Sequence, residues 1–85
     1  METVSFFEHN GYSVRLKAKW NSGFGYKIFK SIHSEKSPDG LKKIYLREEQ
    51  FDFISPEVLK NKAKNYIDNF SERLEEKFIR LTKNN

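Results

Sequence analysis

Apolar and polar residues alternate from Tyr12 to Trp20, with Tyr12, Val14, Leu16, Ala18 and Trp20 on one side and Ser13, Arg15, Lys17 and Lys19 on the other. A period of two predicts a half-buried strand with an aromatic and aliphatic face and an almost wholly cationic opposite face. Thr3 to Glu8 predicts a strand before it, with His9-Asn10-Gly11 as the reversal. Two registers compete for that hairpin. A two-residue Asn-Gly loop sets Phe7 opposite Val14 and leaves Val4 and Phe6 beside the cations. A three-residue loop, with Gly11 in a left-handed bulge, sets Phe6 opposite Val14 and Val4 opposite Leu16. The three-residue form is expected, because it buries two apolar side chains rather than one.

The next reversal, Asn21 to Gly25, opens a third strand in which Tyr26, Ile28 and Ile32 alternate with Lys27, Phe29 and Ser31. Lys30 interrupts the apolar side. Ser34 to Gly40 is dense in turn formers and leads to a short fourth strand at Leu41–Leu46, whose alternation is ambiguous because Ile44 and Leu46 flank Tyr45. Residues 47–54 read as an extended connection that drops Phe51 and Phe53 onto the edge of the core.

Ser55-Pro56-Glu57 is a helix start: a serine cap, proline at the first helical position and an acid facing the dipole. Leu59, Ala63, Tyr66, Ile67, Phe70, Leu74, Phe78 and Leu81 then recur at spacings of three and four, predicting an amphipathic helix over residues 56–82. About 26 residues of helix span about 39 Å, whereas an eight-residue strand spans only about 27 Å. Either the helix breaks near Asn69-Phe70-Ser71, or Phe70, Leu74, Phe78 and Leu81 outrun the sheet and form an association surface for a second copy. The continuation of the stripe to Leu81 favours the homodimer.

The fold class expected is α+β: an antiparallel sheet of three to four strands (residues 3–46) packed against one long C-terminal helix, in a single domain spanning 1–85. Eighty-five residues make one small core, and 15% aromatic content is what fills it. With no Cys, disulfides and thiolate chemistry are excluded. No apolar run approaches a membrane span or a secretory signal, so a cytoplasmic protein without a membrane partner is expected.

Charge sharpens the picture of the open strand face. Residues 1–12 carry −2, residues 13–50 carry +5 from nine basic and four acidic residues, and residues 51–85 carry +1. A cationic middle suits nucleic acid or an acidic protein surface. Catalytic constellations are missing: His9 and His33 are 24 positions apart with no ligand-spaced acids, and Glu48 and Glu49 point to opposite sides of an extended chain. No enzyme activity, metal or cofactor is expected.

Ser22-Gly23-Phe24-Gly25-Tyr26-Lys27-Ile28-Phe29 resembles the octamer of RNA-recognition motifs at five of its seven specified positions. It departs at Ser22, where that family has a basic residue, and at Lys27, where it has a core valine. That fold also requires a helix between its first two strands, and only a tight turn separates Glu8 from Tyr12. Antiparallel strands followed by one helix are similar, over residues 12–70 and in element order alone, to phage-integrase arm-binding domains and plant ethylene-response-factor DNA-binding domains. In those families a three-stranded sheet enters the DNA major groove, which implies a role here for Arg15, Lys17, Lys19 and Lys27.

The function expected is therefore non-catalytic binding. Arg15, Lys17, Lys19 and Lys27 supply steering and phosphate contacts, and Trp20 and Phe24 supply an aromatic anchor, toward nucleic acid or an acidic protein. The alternative is a regulator of the kind phages and mobile elements encode against a host defence complex, acting by protein–protein binding and as a dimer through the C-terminal helix.

Overall fold

The chain runs as an antiparallel meander closed by one helix: β1 (Thr3–His9), β2 (Tyr12–Ala18), β3 (Phe24–His33), β4 (Leu41–Phe51) and α1 (Pro56–Lys83). Sheet order follows chain order, β1-β2-β3-β4, so β1 and β4 are the edges. The structure, a computed structural model, describes residues 3–18 and 23–83. It confirms the α+β architecture, with a four-stranded sheet covered on one face by α1.

The core lies between that face and the helix. Tyr12, Val14 and Leu16 of β2, Tyr26 and Ile28 of β3, and Ile44 and Leu46 of β4 meet Leu59, Ala63, Ile67 and Leu74 of α1, all buried. Such apolar burial is the main stabilising term for a chain this short. Ser55 caps the helix as its sequence predicts, its Oγ accepting the Val58 amide at 3.3 Å.

The first hairpin takes the register that the count of buried apolar residues disfavours. Phe7 lies opposite Val14, Phe6 opposite Arg15 and Ser5 opposite Leu16. Asn10 (φ 49°) and Gly11 (φ 85°) form a two-residue turn of the type I′ class, whose twist matches that of the strands it joins. His9 Nε2 and Asn10 Nδ2 also reach the same Asp68 Oδ1 of α1, at 2.8 and 2.7 Å, which ties the turn to the helix. Phe6 thereby faces away from the helix and finds Phe29 there, with ring centroids 6.1 Å apart. The apolar count failed because the face turned from the helix has an aromatic cluster of its own.

The fourth strand runs to Phe51, not to Leu46, so Arg47–Phe51 belongs to the sheet. A bulge explains the ambiguous alternation. Ile28 pairs with Arg47 and Phe29 with Tyr45, leaving Leu46 as the extra residue. Before it, Ile44 faces the helix; after it, Arg47, Glu49 and Phe51 do. Phe51 packs on the core as expected, but Phe53 does not: it is 87% exposed at a positive φ of 54°.

The long helix is kinked. Phe70 has non-helical dihedrals (φ −128°, ψ 30°), which places the break at the site the sequence offered for one. With β3 and β4 at 10 and 11 residues, the sheet is longer than an eight-residue estimate allows. The redirected second half keeps Leu74 buried and Phe78 against the core. Two members of the expected association surface are thus taken up by the chain's own sheet, and Phe70 and Leu81 remain exposed.

Candidate functional site

Because α1 covers only one face, the other face of the sheet is open, and strand alternation decides what stands on it. β2 contributes Ser13, Arg15 and Lys17; β3 contributes Gly25, Lys27, Phe29 and Ser31; β4 contributes Lys43, Tyr45, Glu48 and Gln50; and β1 contributes Phe6 and Glu8. Arg15 and Lys27 are direct cross-strand partners, as are Lys17 and Gly25. Gly25 is required for the close approach of β4, since a Cβ there would come within 2.9 Å of Gln50 Cγ and 3.0 Å of the Glu49 carbonyl oxygen.

The centre of the open face is Phe29. It is 2% exposed although no helix lies above it. Phe6 and Tyr45 flank it, with the Tyr45 ring 5.5 Å away, and two cations cover it: the Arg15 guanidinium at 5.6 Å and Lys43 Nζ at 5.4 Å from its centroid. Their aliphatic stems shield the ring while the charged ends stay in water. Phe6 and Tyr45 are 54% and 45% exposed, so two ring surfaces remain available beside the covered one.

Carboxylates are sparse here. Lys27 pairs with Glu48 at 3.2 Å and sits over Tyr45 at 5.3 Å. Among the described residues, none of Arg15, Lys17 and Lys43 has a carboxylate partner. Arg15 and Lys27 are like charges directly opposite one another, and Glu48 compensates Lys27 alone.

On the helix side the same ingredients are arranged differently. Lys30, the residue that interrupts the apolar side of β3, lies over the Tyr12 and Phe78 rings at 4.7 and 4.9 Å and donates to Glu75 Oε2 at 3.2 Å. Tyr12 Oη donates to the same oxygen at 3.0 Å. Burial first, and then Glu75, push the Tyr12 phenol up to about 12, while the hydrogen bonds from Tyr12 and Lys30 hold the Glu75 carboxyl below its usual range. A second polar group sits at the other end of the sheet. Tyr26 Oη donates to Glu49 Oε2 at 2.6 Å and accepts from Arg47 Nε at 3.2 Å, and Arg47 lies 4.0 Å over the Tyr66 ring. Burial and Glu49 push the Tyr26 phenol up to about 12.

Of the expected site residues, the structure brings Arg15, Lys17 and Lys27 onto one face. Lys19 and Trp20 lie outside the described residues. Phe24 is on the other side: it faces the helix and packs against the core, so it is not an anchor on the basic face. Tyr26 faces the helix too, so of the three aromatics in the octamer that resembles the RNA-recognition motif only Phe29 stands on the open face. Phe6, Tyr45 and Lys43 were missed. Phe29 already fell on the side of Lys27 in the alternation of β3; Phe6 and Tyr45 were hidden by the hairpin register and the bulge.

Among the described residues, no group of three His, Asp or Glu side chains could hold a metal ion. Among the described residues, no helix is long and apolar enough to cross a membrane. No protein family, no curated protein and no solved structure matches the chain.

Proposed function

We propose that this chain is a non-catalytic, cytoplasmic binding module whose open sheet face engages nucleic acid. The observation that carries the reading is the composition of that face: exposed Phe6 and Tyr45 framed by Arg15, Lys17 and Lys43, three cations without carboxylate partners among the described residues. Cations meet phosphates and release counterions, and exposed rings stack with bases whatever their identity. A nucleic acid meets both features with one repeating unit, phosphate for the cations and a base for the rings, whereas an acidic protein would need separate acidic and apolar side chains in register, which is why nucleic acid is the favoured partner.

Fluorescence anisotropy with labelled DNA and RNA oligonucleotides tests it. If Arg15, Lys17 and Lys43 each neutralise one phosphate, affinity for a single strand falls on the order of 20-fold between about 50 and about 200 mM salt. The double variant Arg15→Glu/Lys43→Glu should keep its circular dichroism spectrum and lose binding. Absence of oligonucleotide binding by the unaltered protein at the lower salt overturns the reading.

A further inference from the structure

The cations of the open face do not stop at its boundary. Beyond Tyr45 and Lys27 the surface turns around the β4 edge through a shallow depression of about 260 Å³ that Lys27 and Tyr45 share with Arg47 and Lys77 of the helix side. It continues into a groove of about 410 Å³ between β4 and α1, where Arg47, Tyr66, Arg73 and Lys77 are among the lining residues. A second groove of about 530 Å³ shares Arg47, Tyr66 and Arg73 with it and adds the exposed Phe70. Phe70, at the kink, lies 4.8 Å from Tyr66, with Arg73 5.2 Å over Phe70 and Arg47 4.0 Å over Tyr66, so that cations and rings alternate along this wall.

Among the described residues, neither Arg73 nor Lys77 has a carboxylate partner. Three acids also line the two grooves: Glu48 is neutralised by Lys27, Glu49 pairs with Arg47 at 3.1 Å, and Glu76 is the third, so Arg73 and Lys77 carry the uncompensated charge of the wall. The wall therefore repeats the composition of the open face, on the other side of the β4 edge.

We infer that the ligand is a single-stranded nucleic acid whose path crosses the open face, turns around the β4 edge at Tyr45 and Lys77, and ends against Phe70 and Arg73. This rests on the nucleic-acid reading of the open face and adds to it a strandedness and a second contact region. The geometry selects the single strand. The two cation sets lie on different faces, the open sheet face and the groove between β4 and α1, joined around the β4 edge of a molecule whose smallest extent is 18 Å, and a duplex with a persistence length of about 150 base pairs does not follow so tight a turn. A single strand does, stacking where a ring is exposed.

The test compares two variants on two probe lengths. Oligo-dT of about 12 nucleotides is long enough to reach both regions, whereas about four nucleotides fit on the face alone. Arg73→Glu/Lys77→Glu should weaken the longer probe by about tenfold at moderate salt and leave the shorter one unchanged. Arg15→Glu/Lys43→Glu should weaken both. A duplex of about 12 base pairs should bind no better than the short probe. If Arg73→Glu/Lys77→Glu leaves the long probe unaffected while Arg15→Glu/Lys43→Glu abolishes it, the path around the edge is wrong and the open-face site stands. If neither variant changes binding, both fall. A duplex that binds as tightly as the long single strand also overturns the inference. Should the charge-reversed helix fail to fold, Lys77→Gln supplies the same reading through its salt dependence, whose slope should drop by about 0.7 for one lost phosphate contact.

Discussion

Phe29 and Lys30 are consecutive residues of β3, yet they anchor two cation–aromatic clusters of opposite character. On the open face the ring belongs to β3 and the cations come from its neighbours, Arg15 and Lys43 over Phe29. On the covered face the cation belongs to β3 and the rings come from elsewhere, Lys30 between Tyr12 and Phe78. What separates them is the carboxylate. Glu75 closes the charge of Lys30 inside the fold, whereas among the described residues no carboxylate closes that of Arg15 or Lys43. A cation over a ring is thus a structural element when an acid completes it, and a surface awaiting an anion when none does.

The sharpest way to break this distinction is through stability. Tyr12→Ala should cost about 3 kcal/mol, because a large buried ring is removed from a small core. Urea denaturation checks it, and a loss below about 1 kcal/mol would show that the covered cluster is not structural.

Proton linkage gives the next effect. The Tyr12 and Tyr26 phenols are raised on folding from 10 to about 12. Their contribution is therefore complete below pH 10 and lost as pH rises through about 12, since the unfolded chain ionises first. Glu75 behaves in the opposite sense: its carboxyl is lowered from 4.5, so its contribution is complete above that value and is lost as pH falls through the lower folded value. Unfolding midpoints followed across pH should show both limbs. Tyr12→Phe should weaken the alkaline one and Glu75→Gln the acid one.

A matched pair gives the smallest and most selective effect. Lys30→Met should destabilise by about 1 kcal/mol, because Glu75 loses its cation, and should leave nucleic-acid binding as it was. Lys43→Met should change stability by less than about 0.5 kcal/mol. It should lower the magnitude of the salt slope for a single strand by about 0.7. Exchanged outcomes would mean that the carboxylate does not separate the two clusters.

The elements that could be read from the sequence were those whose periodicity is uninterrupted. Tyr12–Ala18, the Ser55-Pro56 cap and the stripe from Leu59 to Ile67, before the kink at Phe70, each obey one period throughout, so burial follows directly from position. The residues that escaped lie where a period changes. Leu46 is an extra residue that inverts the parity of β4, so Arg47–Phe51 read as a connection and Tyr45 was not assigned to the open face. The first hairpin was decided by backbone twist at Asn10 and Gly11 and by Asp68, a residue 58 positions further on, neither of which a count of apolar side chains registers. Lys27 and Arg15 were legible as surface cations. The aromatic cluster between them was not, because it draws on β1, β3 and β4 at once.

The bulge at Leu46 also bears on how the molecule behaves at high concentration. β4 is an eleven-residue edge strand, and an edge of that length, if flat, would template hydrogen bonding by a second chain and so seed fibrils. An unpaired extra residue at its middle bends the strand and breaks the even spacing of its outward N–H and C=O groups, while Lys43 keeps a charge on the same stretch. The irregularity that hid β4 in the sequence therefore makes so long an edge a poorer template for a second chain than a flat strand of the same length.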